Sequence, residues 1–186
     1  FSAAEGSAIP LTLDLRLKES RPLQKDCYGA NLQLHHGPIW FDHPDLAGKY
    51  IEAGKPFFRF PGGTSANFYN PETGLMDEDA PPHHNYKKLN ENILSKTDGK
   101  GDTPAEFFEF AGKTGSRYSV VLNVCTRTLE QNRKWLEKLR TQGIEISCFE
   151  IGNEVYFGTY AWAFPEPRDY VRRARASARM IHEVFP

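Results

Sequence analysis

Two short stretches of this sequence carry residues that could do chemistry. The first is Phe149-Glu150-Ile151-Gly152-Asn153-Glu154. An apolar run ends at a glycine and then presents an amide followed by a carboxylate. A carboxylic acid at the end of a buried strand, half desolvated, has its pKa raised and can donate a proton near neutral pH. The amide beside it can hold a substrate hydroxyl without competing for that proton. The plainer reading is a strand end whose polar side chains cap the next turn. The second stretch is Phe58-Arg59-Phe60-Pro61-Gly62-Gly63-Thr64. An arginine inside an apolar strand is costly unless it meets a carboxylate. Gly62-Gly63 reads either as a turn or as a place where a ligand approaches the backbone closely.

The elements that must position these residues follow from periodicity. Residues 8–18 alternate apolar and polar, with Leu11, Leu13, Leu15 and Leu17 on one face, as in a half-buried strand. Tyr28–Leu34 reads as a short strand, Pro44–Ala53 as a short helix and Phe57–Phe60 as a strand. Thr64 to Asp102 is polar and rich in Asn, Asp, Pro and His. A loop that long is either functional or hides a missed element. Thr103-Pro104-Ala105-Glu106 starts a helix, with Thr103 as N-cap and Glu106 completing a capping box, and Gly112 or Gly115 ends it. Tyr118–Cys125 is a near-continuous apolar strand of the kind buried on both faces. Thr128 to Gln142 is an amphipathic helix stopped by Gly143. Ile144–Ile151 is a further strand, and Pro167 to Val184 is a helix.

Strand and helix therefore alternate four times, over 28–53, 57–112, 118–142 and 146–184. That order predicts a parallel sheet with right-handed crossovers. Four such units make either a small doubly wound sheet or the first half of an eight-fold barrel, which needs about 250 residues in full. In a barrel, side chains at the C-terminal ends of strands line the active site, and Arg59 and Glu154 would share one mouth.

The two chemical stretches, taken together and in this order, resemble clan A retaining glycoside hydrolases. The nearest likeness is to heparanase-like enzymes, with alpha-L-arabinofuranosidases next. Ala30-Asn31-Leu32, Leu122-Asn123 with Thr126-Arg127-Thr128, and Gln142-Gly143-Ile144-Glu145-Ile146-Ser147 look like further stretches of the heparanase group. The resemblance spans residues 28–157. It implies a (β/α)8 TIM barrel of which residues 28–186 form the first four βα units, and residues 1–27 an N-terminal segment with a strand of an accessory β-domain. By position, Glu154 matches the general acid/base, Asn153 the amide that contacts the sugar 2-hydroxyl, and Arg59 an arginine near the nucleophile. Asn31 and Thr64 sit where the heparanase group contacts substrate. Asn123 and Tyr156, in the matching stretches, complete the substrate-binding set, and His35, which follows the first strand, reads either as a further substrate contact or as plain loop. Two departures weaken any implication of uronic-acid or heparan-type specificity: Gly29 stands for an acidic residue, and Ser65 for a basic one. Val155-Tyr156 after the Asn-Glu pair looks more like the arabinofuranosidases.

A retaining mechanism needs a second carboxylate about 5–5.5 Å from the first. In this clan it lies on strand seven, and the sequence stops after the fourth helix. The expectation is thus a catalytic half lacking its nucleophile, completed by a C-terminal barrel half in the same polypeptide or in a partner chain, and inactive alone. The rival is a non-catalytic carbohydrate-binding or pseudoenzyme α/β module. A nucleotide-binding fold fits poorly, since no Gly-rich phosphate loop follows the first strand.

Other features bound the function. With 23 Lys+Arg against 24 Asp+Glu, the net charge of −1 argues against a nucleic-acid or anionic-membrane binder. No apolar run approaches the roughly 20 residues of a membrane span. Three Cys exclude a disulfide scaffold, and Cys125 and Cys148 read as small apolar residues on adjacent strands. His83-His84 with Asp77, Glu78 and Asp79 reads as a solvated loop rather than a metal site, and no cofactor is implied. Arg168, Arg172, Arg173, Arg175 and Arg179 read as the solvated face of the last helix. Trp162 and Phe164 either pack or stack on a sugar. The sequence begins at Phe1, its first methionine is Met76, and Ser2-Ala3-Ala4 resembles the residue of a cleaved signal, which tilts the reading to a secreted or periplasmic protein.

Overall fold

The computed structural model describes residues 28–32, 41, 43–78, 86–146 and 148–186. The expected strand at 8–18 and residues Cys27, His35, His36, His83 and His84 lie outside them.

Four strands form one parallel sheet in the order β1 (Gly29–Asn31), β2 (Phe57–Phe60), β5 (Tyr118–Leu122) and β6 (Cys148–Ile151). Spatial order follows chain order and never reverses. A doubly wound sheet needs a reversal, so this is barrel-type winding. Crossovers of one hand and one direction place their helices on a single face. These are α1 (Leu46–Glu52), α3 (Pro104–Thr114), α4 (Leu129–Thr141) and α5 (Pro167–Val184), with α1 against α3 and α4 against α5.

The helix-covered face is aromatic. Phe58 and Phe60 alternate with half-buried Phe57 and Arg59 along β2, as a period of two requires. Phe58 meets Tyr50 of α1 and Phe110 of α3, and Phe60 stacks on Phe107 at 4.4 Å. β5 is buried at all five positions, as its unbroken apolar run predicts.

Several expectations need correction. The segment 64–102 does hide missed elements, one of the two alternatives its length left open. A 3-10 turn (Thr64–Asn67) leads into an antiparallel pair, β3 (Tyr69–Asn70) and β4 (Leu75–Met76), and then into α2 (Tyr86–Lys96). The helix hides in the sequence because it buries just Tyr86, Asn90 and Ile93. Asn90 substitutes polar pairing for apolar packing: its amide bonds both the N–H and the C=O of Met76 at 2.8 Å. Helix α3 begins behind Thr103 but without any side-chain cap bond, so the expected box with Glu106 does not form. A box does form at α4, between Thr128 and Gln131. Strand β5 stops at Leu122 rather than Cys125, because the Asn123 side chain accepts from the N–H groups of Cys125 and Thr126 and turns the chain. Among the described residues the last strand covers Cys148–Ile151, and 144–146 are not part of it. Cys148 is exposed rather than buried between strands. In α5, Arg173 is half-buried and donates to the Arg127 carbonyl, unlike its exposed arginine neighbours.

No helix among the described residues is long and apolar enough to cross a membrane.

Candidate active site

Register decides which polar side chains meet. Arg59 pairs with Asn31 on one side and with Ser119 on the other, and Ser119 pairs with Cys148, two residues before Glu150. With the side-chain period of two, Asn31, Arg59, Ser119 and Glu150 all project from the face opposite the helices. Ser119 is the smallest of these. It lets the arginine reach across β5 to the strand beyond.

Arg59 is the hub. Its Nε donates to Glu150 Oε2 at 2.8 Å, one terminal nitrogen to Asn31 Oδ1 at 3.1 Å and the other to Asn153 Oδ1 at 3.0 Å. The carboxylate that a strand-borne arginine requires is therefore Glu150, whose second oxygen accepts from Ser119 Oγ at 2.9 Å. The side chains of Arg59 and Glu150 are 25% and 37% exposed, so the pair is partly desolvated and open to one side.

Asn153 is buried and held at every polar group. Because its Oδ1 faces Arg59, its Nδ2 is directed to Glu154 Oε2, at 3.3 Å. Its backbone N–H donates to Asn67 Oδ1 at 2.8 Å, and its C=O accepts from Asn67 Nδ2 at 2.6 Å. Glu154 follows with a left-handed φ of 48°. Strain of this kind in a residue other than glycine concentrates at functional sites. Its side chain is exposed, not half desolvated as the strand-end motif suggested, because β6 is the edge of the described sheet.

Gly62 has a different role from those considered in the sequence. A Cβ there would lie 1.9 Å from Asn31 Oδ1, so the missing side chain makes room for Asn31 rather than for a ligand. Gly63, at φ 67°, turns the chain into the 3-10 segment that begins at Thr64. Tyr160, 3% exposed, hydrogen-bonds the side chains of Asn67 and Thr64. Burial pushes its phenol pKa up, the two hydrogen bonds oppose that, and the charges of Cys125 and Glu154 add to the rise.

Of the residues singled out in the sequence, Asn31, Arg59, Asn153 and Glu154 form one contiguous constellation, with Thr64 joined through Tyr160 and Asn67. Asn123 lies apart: its amide is committed to Tyr69 O, Thr126 Oγ1 and the turn after β5. Tyr156 is 77% exposed and packs on Phe157. Both border Glu154's side of the loop, where an open cavity of about 460 Å³ is lined by Glu154, Tyr156, Phe157, Phe164 and Tyr170. A larger cavity of about 720 Å³ lies between the β5–α4 loop and α5 and touches none of Arg59, Asn153 or Glu154. His35 lies outside the described residues. Trp162 is 37% exposed, with its ring 6.1 Å from that of Phe68.

Sequence reasoning missed Glu150, Ser119, Asn67 and Tyr160. Glu150 did leave a signal, since a carboxylate inside a strand run is the same anomaly as Arg59 with opposite sign. Among the described residues no three His, Cys, Asp or Glu side chains converge on a metal-sized site.

No protein-family model matches the sequence, and no curated protein does. Solved structures do match. The chain is 20% identical to the GH51 alpha-L-arabinofuranosidase of Thermotoga petrophila RKU-1, with a TM-score of 0.59, over 87% of this chain and 39% of that one. For the alpha-L-arabinofuranosidase of Thermotoga maritima the values are 19%, 0.54, 84% and 38%. A family 51 alpha-L-arabinofuranosidase from Bifidobacterium longum gives 19%, 0.56, 84% and 36%. The chain thus spans under two-fifths of the length of these structures. At this identity the likeness shows the fold: a parallel α/β arrangement matching the N-terminal part of their TIM barrels.

Proposed function

We propose that this chain carries the acid/base half of a retaining glycoside hydrolase site, acting on an O-glycosyl bond of a polysaccharide or other glycan. The observation that carries the reading is the Arg59 hub: one guanidinium fixes Asn31, Glu150 and Asn153 at the C-terminal end of the sheet, beside Glu154. In this reading Glu154 protonates the glycosidic oxygen as the bond to the leaving group breaks. A carboxylate on a later strand takes the anomeric carbon, and Glu154 then deprotonates the water that releases the sugar. Asn153, its Oδ1 occupied by Arg59, turns its amide hydrogens outward, where one reaches the substrate 2-hydroxyl.

Glu150 does not supply the nucleophile, since both of its oxygens are engaged by Arg59 and Ser119. The nucleophile belongs to further βα units that pair with the open edge of β6, in the same polypeptide or in a partner chain. The printed activity of the structural neighbours makes an arabinofuranosyl linkage the first substrate to try, and secretion or export to the periplasm suits a polysaccharide substrate. A second reading, carbohydrate binding without turnover, is supported by the carboxylates at these strand ends among the described residues: Glu150 is held by Arg59 and Ser119, which leaves Glu154 as the one outside that ion pair.

The test is hydrolysis of aryl glycosides and binding of a furanose-type iminosugar by the pure chain. We expect no turnover, and binding weakened about tenfold by Asn153→Ala, the value of roughly one hydrogen bond. Robust hydrolysis lost in Glu154→Gln would refute the half-site reading. Binding indifferent to Asn153 and Arg59 substitutions would refute the site.

A further inference from the structure

We infer that Asn67 is a positioning residue that sets the backbone on which Asn153 and Glu154 act. The inference rests on the proposed role of those two residues for its functional meaning, and on geometry alone for its structural content. Strand β6 ends at Ile151, and its last bond to β5 is the N–H of Gly152 donating to the Leu122 carbonyl at 3.0 Å, so the pairing with β5 stops one residue before Asn153. Asn67, fully buried at the end of the 3-10 turn after β2, takes the place of that strand. A primary amide presents one donor and one acceptor in a plane, as a peptide does. Asn67 uses both on one residue, accepting from the N–H of Asn153 and donating to its C=O. The ladder is in effect extended one step by a side chain 86 positions away.

The consequence falls on Glu154. The peptide joining Asn153 to Glu154 is pinned through its carbonyl, and Glu154 is the residue with φ 48°. Gly152 lets the clamp close: a Cβ there would meet Val124 and Val155 side-chain carbons at 3.0 Å and Asn67 Oδ1 at 3.6 Å. Tyr160 joins the Asn67 side chain to that of Thr64. The β2 unit thus grips Asn153 twice, through Arg59 at the side chain and through Asn67 at the backbone.

The experiment is NMR on the labelled chain and on Asn67→Asp. A protonated aspartic acid has the shape of asparagine, with an O–H donor and a C=O acceptor, whereas the carboxylate has no donor. At neutral pH the amide signals of Asn153, Glu154 and Val155 in the variant are expected to leave their wild-type positions, and the φ-sensitive coupling of Glu154 to change. Lowering the pH is expected to restore them, while the signals of β5 and α4 stay fixed throughout. The charged or titratable groups nearby are Tyr160, Cys125 beside it, Glu154 and Arg59. The wild-type titration supplies the baseline against which the variant is read.

Iminosugar affinity is expected to fall about tenfold in the variant at neutral pH and to recover on acidification. If the wild-type chain binds no iminosugar, the functional reading fails, and the amide shifts still decide the clamp. Wild-type positions for residues 153–155 in the variant at every pH would overturn the inference. Should the variant not fold, hydrogen exchange in the wild type decides. A protected Asn153 amide supports the clamp, and exchange as fast as in exposed loops overturns it.

Discussion

Replacing Arg59 with methionine removes a cation of similar length from a site that three acceptors share. Glu150 loses its charged partner. Breaking a buried pair costs about 3–5 kcal/mol, and breaking an exposed one about 0–1. With side chains 25% and 37% exposed, this pair falls between them, and the intermediate exposure places its loss at about 2 kcal/mol. The bonds to Asn31 and Asn153 are neutral acceptor bonds at 3.1 and 3.0 Å, partly replaceable by water, and add about 1 kcal/mol together. The total of about 3 kcal/mol corresponds to a Tm lowered by about 6–12 °C in a chain of this size. Urea unfolding of Arg59→Met, Glu150→Gln and the double variant, followed by circular dichroism, isolates the pair. The cycle should return a coupling of about 2 kcal/mol, because the residues touch. Arg59→Lys keeps the charge but not the fork, reaches one acceptor at a time, and should recover less than half of the loss. A cost below about 0.5 kcal/mol for Arg59→Met, as for an ordinary surface substitution, with additive single effects, would show that the hub is not a structural unit.

Gly62→Ala puts a methyl 1.9 Å from Asn31 Oδ1, so Asn31 must leave Arg59 or the turn must move. The expected cost is about 1–3 kcal/mol in urea unfolding, and a neutral substitution would contradict the packing. Glu154→Gly relieves the left-handed conformation, and should be about 1 kcal/mol more stable than Glu154→Ala. Equal stability would mean that no strain is held there. Burial pushes the Cys125 thiol up to about 12 against an ordinary 9.0, with Arg173 opposing, so at pH 8 alkylation should reach exposed Cys148 well before Cys125. Burial, reinforced by Glu145, likewise raises Tyr118 to about 12. Between about pH 9 and 12 the unfolded chain releases these protons before the folded chain does. Stability should therefore be complete below pH 9 and fall through that window, and a flat stability profile from pH 9 to 12 would refute the burial.

Much of the architecture was legible because it is local. Helices α4 and α5 and strand β2 lie where the apolar period, Thr128, Pro167 and Gly143 put them, and the unbroken run Tyr118–Leu122 announced a buried strand. Helix α2 was not legible, since Asn90 anchors it through backbone atoms of Met76 that no periodicity reveals. The order of strands was open as well. Alternation of strand and helix is common to doubly wound sheets and barrels, and only pairing in space separates them.

The candidate site divides along the same line. Residue order was enough to say that an arginine in an apolar strand needs a carboxylate, and that Gly152-Asn153-Glu154 closes a strand with the groups of proton transfer. Both follow from the cost of burying charge and from the reach of a strand end. Tertiary structure alone decided that the carboxylate is Glu150, that Ser119 is small enough to let Arg59 pass over β5, and that Asn67 grips the backbone of Asn153. These depend on a one-residue register between strands far apart in the chain. A shift of one residue would turn Arg59, Ser119 or Glu150 to the opposite face.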